Sequence, residues 1–522
     1  MKTNVLRRFR IIPAILFFSL IFLFFCDFAN FFPKQLHGIL HIQFIPAFIS
    51  GSAGILIFLF LLTILFGRIY CSIICPLGIL QDIIARFNKI PKKKRKYKYA
   101  RPFNIIRYSI LIICILFLIF GITTPLLLLD PYSNFGRIAV NIFRPVFIEG
   151  NNLLNLIALK FHVYKFYYIT IHTFTIWSFS IAAFILLTVG IMAFLRGRLY
   201  CNTICPVGSL LGLISKFSLY KINIDGSKCT SCRLCENACK SQCINSKEKF
   251  VDNSRCVSCF NCLKRCKSDS IDFRFTTKRA QSVVKEVIKP EIITNRTNEI
   301  GITRRSFLVT STALAAILPV ISAWAKTEKE IDQTKLTPIT PPGSISLARF
   351  KKQCTACHLC ITHCPQQILK PAGFNFGLDY AFKPHLVFYE KGFCNYSCTA
   401  CTLVCPNGAI KKLTVEEKKI SQIGVAKLDH HICVVHTDHT SCGACSEHCP
   451  TQAVKMEPYI NGLTSPHVYE ELCIGCGGCE SICPVRPIKA INVLANEVHQ
   501  TAEIPPESEI LEVDHEELDF GF

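Results

Sequence analysis

Four long apolar runs dominate the N-terminal part of this chain. They lie at roughly Ile11–Phe32, Phe48–Phe66, Ile105–Leu129 and Tyr168–Leu195. Each run can supply the ~20 residues that a helix needs to cross the hydrocarbon core of a bilayer. The pattern therefore predicts an all-α membrane domain of four helices within residues 1–220.

Basic residues concentrate on one side of these runs. The connection between the second and third runs carries Lys89, Lys92, Lys93, Lys94, Arg95, Lys96, Lys98 and Arg101, whereas the first connection has only Lys34. The positive-inside rule then places the N-terminus and the Lys-rich loop on the cytoplasmic side. The net charge of +22 would also suit nucleic acid. Its placement beside apolar runs instead favours contact with anionic membrane lipid, so no nucleic-acid partner is expected.

The membrane part contains an internal repeat. The segment G-R-I-Y-C-S-I-I-C-P-L-G at 67–78 returns as G-R-L-Y-C-N-T-I-C-P-V-G at 197–208. A C-x3-C-P pair puts two sulfurs on one helical face, unless the proline interrupts the turn. Two interpretations stay open, a redox or metal site and a set of small buried side chains that pack helix ends. The residues concerned are Cys71, Cys75, Cys201 and Cys205.

Twenty-four of the 31 cysteines form three pairs of runs with the spacing of bacterial-type [4Fe–4S] ferredoxins. Three thiolates of each run hold one cube, and the last cysteine ligates the neighbouring cube. The pattern predicts six clusters in small α+β ferredoxin domains. In the first pair the crossed pattern gives Cys229, Cys232 and Cys235 with Cys266, and Cys256, Cys259 and Cys262 with Cys239.

Several details of these runs bear on alternative interpretations. A disulfide scaffold is disfavoured, because adjacent thiols at this density would form strained bridges. In the first pair, Lys240 and Lys267 stand where the motif usually has proline, and Cys243 is left over with an expected structural role. Cys354-x2-Cys357-His358 also matches a haem attachment motif, but two further cysteines complete a ferredoxin run there.

A second targeting pattern lies in the middle of the chain. Arg304 and Arg305 precede a moderately apolar stretch that ends in A-W-A at 323–325, so residues 300–326 are predicted to be a twin-arginine export signal. The alternative is an anchor helix with incidental arginines, and both interpretations place the residues after Ala325 outside the cytoplasm. The predicted domains beyond residue 220 are a cytoplasmic dicluster ferredoxin at 221–290, exterior two-cluster modules at 327–415 and 416–500, and an acidic tail at 501–522.

Together these features resemble two families joined in one chain. Residues up to about 290 resemble the NapH-type four-helix membrane ferredoxin, and residues from about 300 resemble the NapG-type exported polyferredoxin. Family-like pairing implies these exterior ligand sets: Cys354, Cys357 and Cys360 with Cys405; Cys394, Cys398 and Cys401 with Cys364; Cys433, Cys442 and Cys445 with Cys483; Cys473, Cys476 and Cys479 with Cys449.

The resemblance also implies a function. Those families act in quinol dehydrogenase systems, so it implies a location in the bacterial inner membrane, the quinone pool as electron donor, and a periplasmic reductase or cytochrome as acceptor. The alternative function is maturation or regulation of a metalloenzyme by supplying reductant. The sequence lacks a G-x-G-x-x-G phosphate cradle, which disfavours bound NAD or flavin.

A quinol site would need a proton acceptor near the membrane surface. The candidates at the exterior ends of the apolar runs are His37, His41, His162, His172 and the turn Asp130-Pro131-Tyr132. Each histidine has the alternative of a satisfied interfacial residue, and a bis-histidine haem between helices stays open.

Overall fold

A single long helix, α1 (Lys2–Cys26), sets the length of the helical part of the molecule. At 1.5 Å per residue, its 25 residues extend over about 37 Å. The computed structural model describes residues 2–29, 31–87, 97–275, 337–388 and 392–503. The predicted export signal with Arg304 and Arg305, residues 89–96 of the Lys-rich loop, and most of the acidic tail lie outside the described residues.

The other helices of the N-terminal part vary widely in length. After a short 3-10 segment at Lys34–Ile42 come α2 (Phe44–Ile49), α3 (Ala53–Phe66), α4 (Tyr70–Ile73), α5 (Pro76–Phe87), α6 (Asn104–Ile119), α7 (Thr124–Leu129) and α8 (Pro131–Ile138). A π-helical segment at Ala139–Phe143 leads into α9 (Arg144–Lys160), which is followed by α10 (Ile176–Arg196), α11 (Leu199–Thr203) and α12 (Pro206–Ser215).

Two of the described helices, over Val5–Cys26 and Ile176–Arg196, are long and apolar enough to cross a membrane. The helices on the other two apolar runs are shorter, because glycines with positive φ interrupt those runs. Gly51 (φ 70°) separates α2 from α3, and Gly121 (φ 77°) follows the end of α6. The sequence pattern also missed α8 and α9, whose mixture of polar and apolar residues has no long apolar stretch.

Each copy of the internal repeat turns back into the helical bundle. After α3 ends, the chain passes Gly67, and α4 returns beside α3. The Tyr70 hydroxyl donates to Gln43 Oε1 (3.1 Å) and accepts from the Phe44 N–H (3.1 Å), at the start of α2. The chain then reverses at Cys75-Pro76 into α5. The second copy does the same after α10, and its Tyr200 hydroxyl donates to the Leu129 carbonyl (2.8 Å).

The first ferredoxin domain follows α12 directly. Strand β1 (Tyr220–Ile224) pairs antiparallel with β4 (Ile271–Phe275), and a small hairpin joins β2 (Ile244–Asn245) to β3 (Phe250–Val251). Two short helices, α13 (Leu234–Ala238) and α14 (Asn261–Arg265), carry the third cysteine of each run. We call residues 220–275 the N-terminal module.

The C-terminal module, residues 337–503, is built from the same kind of elements. Its helices are α15 (Leu347–Gln353), α16 (Leu359–Thr362), α17 (Ala400–Val404), α18 (Val415–Lys419), α19 (Val434–Thr437), α20 (Ala444–Glu447) and α21 (Gly478–Ile482). Its antiparallel strand pairs are β5 (Leu369–Pro371) with β6 (Pro384–Leu386), β7 (Ser421–Leu428) with β10 (Ile491–Thr501), and β8 (Val454–Pro458) with β9 (Thr464–Val468).

The two modules dock at opposite ends of α1. Near the start of this helix, Arg7 Nε donates to Asn261 Oδ1 of the N-terminal module (3.3 Å). Near its end, the Phe25 carbonyl accepts from the Thr362 hydroxyl of the C-terminal module (3.3 Å). The bundle therefore lies between two sets of predicted clusters.

A buried carboxylate joins the N-terminal module to the bundle. Asp82 of α5 pairs with Arg10 of α1 (2.5 Å), with Arg198 next to α11 (2.9 Å) and with Lys240 of the module (3.2 Å). Lys240 replaces the motif proline, and this contact gives the physical reason, since a proline has no cation to offer Asp82.

Substituting Asp82→Ala is expected to destabilise the protein by about 3–5 kcal/mol, because three buried cations lose their shared carboxylate. Denaturant unfolding in detergent would measure the change. The matched control is Asp272→Ala, which removes an exposed ion pair with Arg274 and should have little effect. Equal stability of the Asp82→Ala protein and the wild type would contradict this role.

The C-terminal module adds a pH dependence through His358. Its Nε2–H donates to the Phe382 carbonyl (2.9 Å), and its Nδ1 accepts from the Asn141 amide of the bundle (3.2 Å). Burial lowers the pKa of His358 from 6.5 to about 3, so the ring stays neutral in the folded protein. Protonation of His358 thus favours the unfolded state. The free energy of unfolding therefore falls as the pH drops from 6.5 towards 3.

Acidifying from pH 7 to pH 5 should therefore cost about 2 kcal/mol through His358 alone. The His358→Asn variant keeps a residue that tolerates positive φ and should show a shallower loss of stability with falling pH. Thermal unfolding at several pH values measures this slope. The exposed His431→Asn variant is the control, and an unchanged slope in His358→Asn would refute the assignment.

Candidate iron–sulfur centres

Four of the six cysteine runs share one backbone conformation. In each, the residues on both sides of the second cysteine have positive φ, at Ser231 and Arg233, Ser258 and Phe260, Ala356 and His358, and Gly475 and Gly477. Such left-handed residues turn successive N–H groups to one side of the loop. The Ala356 N–H, for example, lies 3.4 Å from Cys354 Sγ. Hydrogen bonds of this kind to cluster sulfurs help to set the reduction potential.

The last cysteine of a run lies beside the first three cysteines of its partner run. Cys405 interacts electrostatically with Cys354, Cys357 and Cys360. The same crossing brings Cys364 to Cys401, Cys483 to Cys433, Cys449 to Cys479, and Cys239 to Cys262. The structure thus brings together the cysteines of five predicted ligand sets. For the sixth, it places Cys235 with Cys229 and Cys232.

One cavity is lined by all four cysteines of a predicted set, Cys364, Cys394, Cys398 and Cys401. Among the described residues, no three metal-binding side chains converge closely enough to hold a single metal ion. A [4Fe–4S] cube takes its four thiolates at separate iron corners, so its ligands stand farther apart. All 31 cysteines are free of disulfides.

Burial of the thiols couples iron binding to proton release. It raises the pKa of Cys354 and of Cys445 to about 12, so without metal both thiols are protonated at neutral pH. Iron binds the thiolate form, and loading these sites therefore displaces protons.

Cys243 lies closer to a cluster site than the sequence indicates. Its sulfur is 3.5 Å from Cys239 Sγ, and a hydrogen bond from the Cys243 thiol lowers the pKa of Cys239 to about 7. Cys243 also hydrogen-bonds Cys256 of the same predicted set. In the sequence, only the separation of four residues between Cys239 and Cys243 indicated that the two sulfurs could lie close together. Cys26 and Cys114 are both buried in the bundle.

The four cysteines of the repeat meet in the core of the bundle. Cys71, Cys75, Cys201 and Cys205 are buried, and their sulfurs lie close enough to interact electrostatically. The two repeats hold each other through their arginines. Arg68 Nη2 donates to the Cys201 carbonyl (3.0 Å), and Arg198 Nη1 donates to the Cys71 carbonyl of the other repeat.

The last glycine of each repeat permits this crossed contact. A Cβ on Gly78 would overlap the Cys71 carbonyl oxygen and press against the Arg198 guanidinium. A Cβ on Gly208 would do the same to Cys201 and Arg68. The matching glycines therefore follow from the close approach of the two repeats.

The quinol candidates fall into two groups. The His37 ring lies 5.5 Å from the ring of His363, and His41 hydrogen-bonds the Pro406 carbonyl, so both face the C-terminal module beside Cys364 and Cys405. His162 is exposed at the end of α9. His172 contributes its backbone N–H to Gln367 Oε1 (2.9 Å) and is not brought near His37 by any described contact.

The turn at Asp130, the remaining quinol candidate, has a structural role. Asp130 caps α8, accepting from the backbone N–H and hydroxyl of Ser133 (2.8 and 2.6 Å). Tyr132 is fully buried and lies beside Cys357 and Cys405. Neither residue is a solvent-facing proton acceptor in this structure. The haem motif at Cys354-x2-Cys357-His358 has both nitrogens of His358 already in hydrogen bonds.

Comparisons with known proteins agree with the cysteine chemistry. A family model described as a 4Fe-4S binding domain matches residues 50–98 and 177–224, the two copies of the repeat. A model described as a 4Fe-4S dicluster domain matches residues 440–486. No solved structure matches the chain.

Curated relatives match parts of the chain. An uncharacterized protein of Methanocaldococcus jannaschii is 25% identical over 38% of this chain and 65% of its own length. The methylamine utilization ferredoxin-type protein MauM of Methylobacillus flagellatus is 32% identical over 27% of this chain and 62% of its own length. The ferredoxin-type protein NapG of Escherichia coli is 28% identical over 33% of this chain and 78% of its own length.

The chain thus spans a little under two thirds of the first two relatives. The matches, together with the crossed cysteine sets, support iron–sulfur clusters as its cofactors. The chain is therefore related to ferredoxin-type proteins such as NapG and MauM, and its matched segments are of the 4Fe-4S binding kind.

Proposed function

We propose that this protein is a membrane-bound electron carrier that takes electrons from quinol and passes them through [4Fe–4S] clusters to an oxidoreductase outside the cytoplasm. The observation that carries the proposal is the placement of two cluster modules at the two ends of one apolar helical bundle. A soluble ferredoxin does not need an apolar helical bundle between its cluster modules.

The surface of the bundle supports a membrane location. Large apolar side chains are exposed along α1, α3, α6, α9 and α10, with Ile105 85% exposed and Phe120 77% exposed. Soluble proteins rarely expose contiguous apolar patches of this extent. With the two helices long enough to span a bilayer, this surface is best suited to lipid.

The charge pattern supports one orientation. The Lys-rich loop leads into Tyr97–Arg101, and the Ala100 N–H donates to the Gln242 carbonyl of the N-terminal module (3.3 Å). This end of the bundle is therefore the basic one, which the positive-inside rule assigns to the cytoplasm. The C-terminal module then faces the periplasm, in agreement with a twin-arginine signal ahead of it.

The exterior end of the bundle offers a place for quinol oxidation. His37 lies between Phe24 and His363, with ring centroids 5.1 and 5.5 Å away, and His363 is next to the predicted ligand Cys364. Quinol oxidation releases protons as well as electrons, so a neutral imidazole beside a cluster serves both needs. Burial lowers the pKa of His363 to about 4, which keeps that ring neutral and able to accept a hydrogen bond from a quinol hydroxyl.

The electrons then leave through the C-terminal module. Its four predicted clusters form a continuous group, since the Cys394 N–H donates to the Cys476 carbonyl (2.8 Å) and so joins the first pair of sites to the second. We propose a periplasmic reductase or cytochrome as the acceptor. This agrees with the NapG-type resemblance of this half.

Substituting His37→Phe should slow reduction of the clusters by a water-soluble quinol by about 10²–10⁴-fold, the usual contribution of a positioned proton acceptor. The phenyl ring preserves packing against Phe24. Stopped-flow bleaching of the cluster absorbance measures the rate, and reduction by dithionite should be unchanged.

The control is His162→Asn, at an exposed histidine just after α9 whose positive φ (57°) asparagine tolerates. It should reduce at the wild-type rate with both donors. Wild-type quinol kinetics in His37→Phe would show that quinol is oxidised elsewhere.

A further inference from the structure

We propose that Cys71, Cys75, Cys201 and Cys205 together bind a seventh iron–sulfur cluster, placed inside the bundle to carry electrons between the two modules. Its bridging role rests on the proposed electron-transfer function, whereas binding of the cluster does not.

The two repeats together supply a complete set of cluster ligands. A cluster needs four thiolates, and each repeat supplies two. Each of the two segments matched by the 4Fe-4S binding model, 50–98 and 177–224, contains only these two cysteines. A complete ligand set therefore requires both segments, and the structure brings the four sulfurs into one buried group.

Hydrogen-bond donors surround the four sulfurs. The Gly208 N–H, at the start of α12, donates to Cys205 Sγ (3.3 Å), and Gln81 Nε2 donates to Cys201 Sγ (3.3 Å). In the other repeat, the Gly78 N–H bonds Cys75, and Arg68 Nη2 lies 3.9 Å from Cys71 Sγ. Every sulfur thus faces a donor, as cluster thiolates in proteins do.

The positive charge of the buried arginines beside the site is not fully compensated. Arg68 is fully buried, and its hydrogen bonds go to Asn202 Oδ1 (2.8 Å) and to carbonyl oxygens, all of them neutral. Arg198 is also buried and shares the single carboxylate of Asp82 with two other cations. Arg68 Nε and Arg198 Nη2 lack hydrogen-bond partners among the described atoms.

Buried charge without a counterion is costly. Four thiolates on a cube whose core carries two positive charges leave a net charge of about −2, which matches the two arginines. Packing of four neutral thiols would leave both guanidinium groups without this compensation.

The position of the site suits a bridge. Towards the N-terminal module, the Arg198 N–H donates to the Lys240 carbonyl (3.1 Å), one residue after the predicted ligand Cys239. Towards the C-terminal module, Tyr200 accepts from Asn134 Nδ2 (3.1 Å), and a Cβ on Gly136 in the same helix would overlap the Cys357 carbonyl. The four cysteines therefore lie between predicted ligands of both modules.

The transfer itself requires no bond to form or break. A reduced cube of one module loses one electron and is oxidised, and a cube of the other module gains that electron and is reduced. On this route the electrons enter at the N-terminal module from a low-potential donor, separately from the quinol route at the other end. Dithionite substitutes for that donor in the test.

The test compares the wild type with a variant in which all four cysteines are alanine, reconstituted as full-length protein in lipid vesicles. The variant should contain about four iron atoms fewer per chain. Dithionite added outside should reduce every cluster in the wild type, but in the variant only the clusters of the outward-facing module. Cys114→Ala, at a buried cysteine of the same bundle, is the control and should match the wild type.

A single substitution, Cys205→Ser, keeps a hydrogen-bond acceptor for Gly208 and covers the case in which the fourfold variant does not fold. This variant should also lose electron transfer between the two modules, while the six clusters of the modules are retained. Unchanged iron content in both variants would overturn the seventh cluster. Lost iron with complete reduction of the sheltered module would overturn its bridging role. Quinol should still reduce the C-terminal module in both variants. If quinol fails to reduce that module in the wild type, the proposed function is refuted, independently of the seventh cluster.

Discussion

The crossed hydrogen bonds of Arg68 and Arg198 hold the core of this protein together. Each guanidinium group belongs to one repeat and donates to a cysteine carbonyl of the other. Arg198 also reaches Asp82, and through it α1 and the N-terminal module. Buried arginines are expensive unless they are compensated, so these contacts fix the positions of several elements at once.

From this core the arrangement of the rest follows. The tyrosine of each repeat is hydrogen-bonded inside the bundle, Tyr70 at the start of α2 and Tyr200 at the Leu129 carbonyl, and the glycines of the motif allow the close approach. The N-terminal module docks where Lys240 meets Asp82, and the C-terminal module docks where Arg137 donates to the Ala356 carbonyl (3.2 Å). Rigid positions of this kind suit electron transfer, whose rate falls steeply with distance.

The cysteine spacing anticipated which thiols lie together better than the apolar runs anticipated the helices. The cysteine spacing indicated which thiols belong together, because the ligand geometry of a cube dictates that spacing directly. The apolar runs did not reveal that Gly51 and Gly121 interrupt them, or that α4 and α5 reverse inside the bundle. Those features depend on tertiary contacts of Tyr70 and Asp82, which leave no periodic trace in the sequence.

The replacement of the motif proline by Lys240 shows the same limit. In the sequence it is only a departure from the motif, and in the structure it is an ion pair with Asp82 of the bundle. His37 and His41 were two candidates among several, and only the docking of the C-terminal module distinguishes them from His162. Contacts between residues far apart in the sequence, such as Lys240 with Asp82, become visible only when the positions of both residues are known.

The most direct measurement is quinol titration of the purified protein, with iron-to-protein ratio and low-temperature EPR followed together. Our account predicts at least about 24 iron atoms per chain and the appearance of reduced cubane signals on addition of quinol. Clusters that are present but stay oxidised in quinol, while dithionite reduces them, would contradict it.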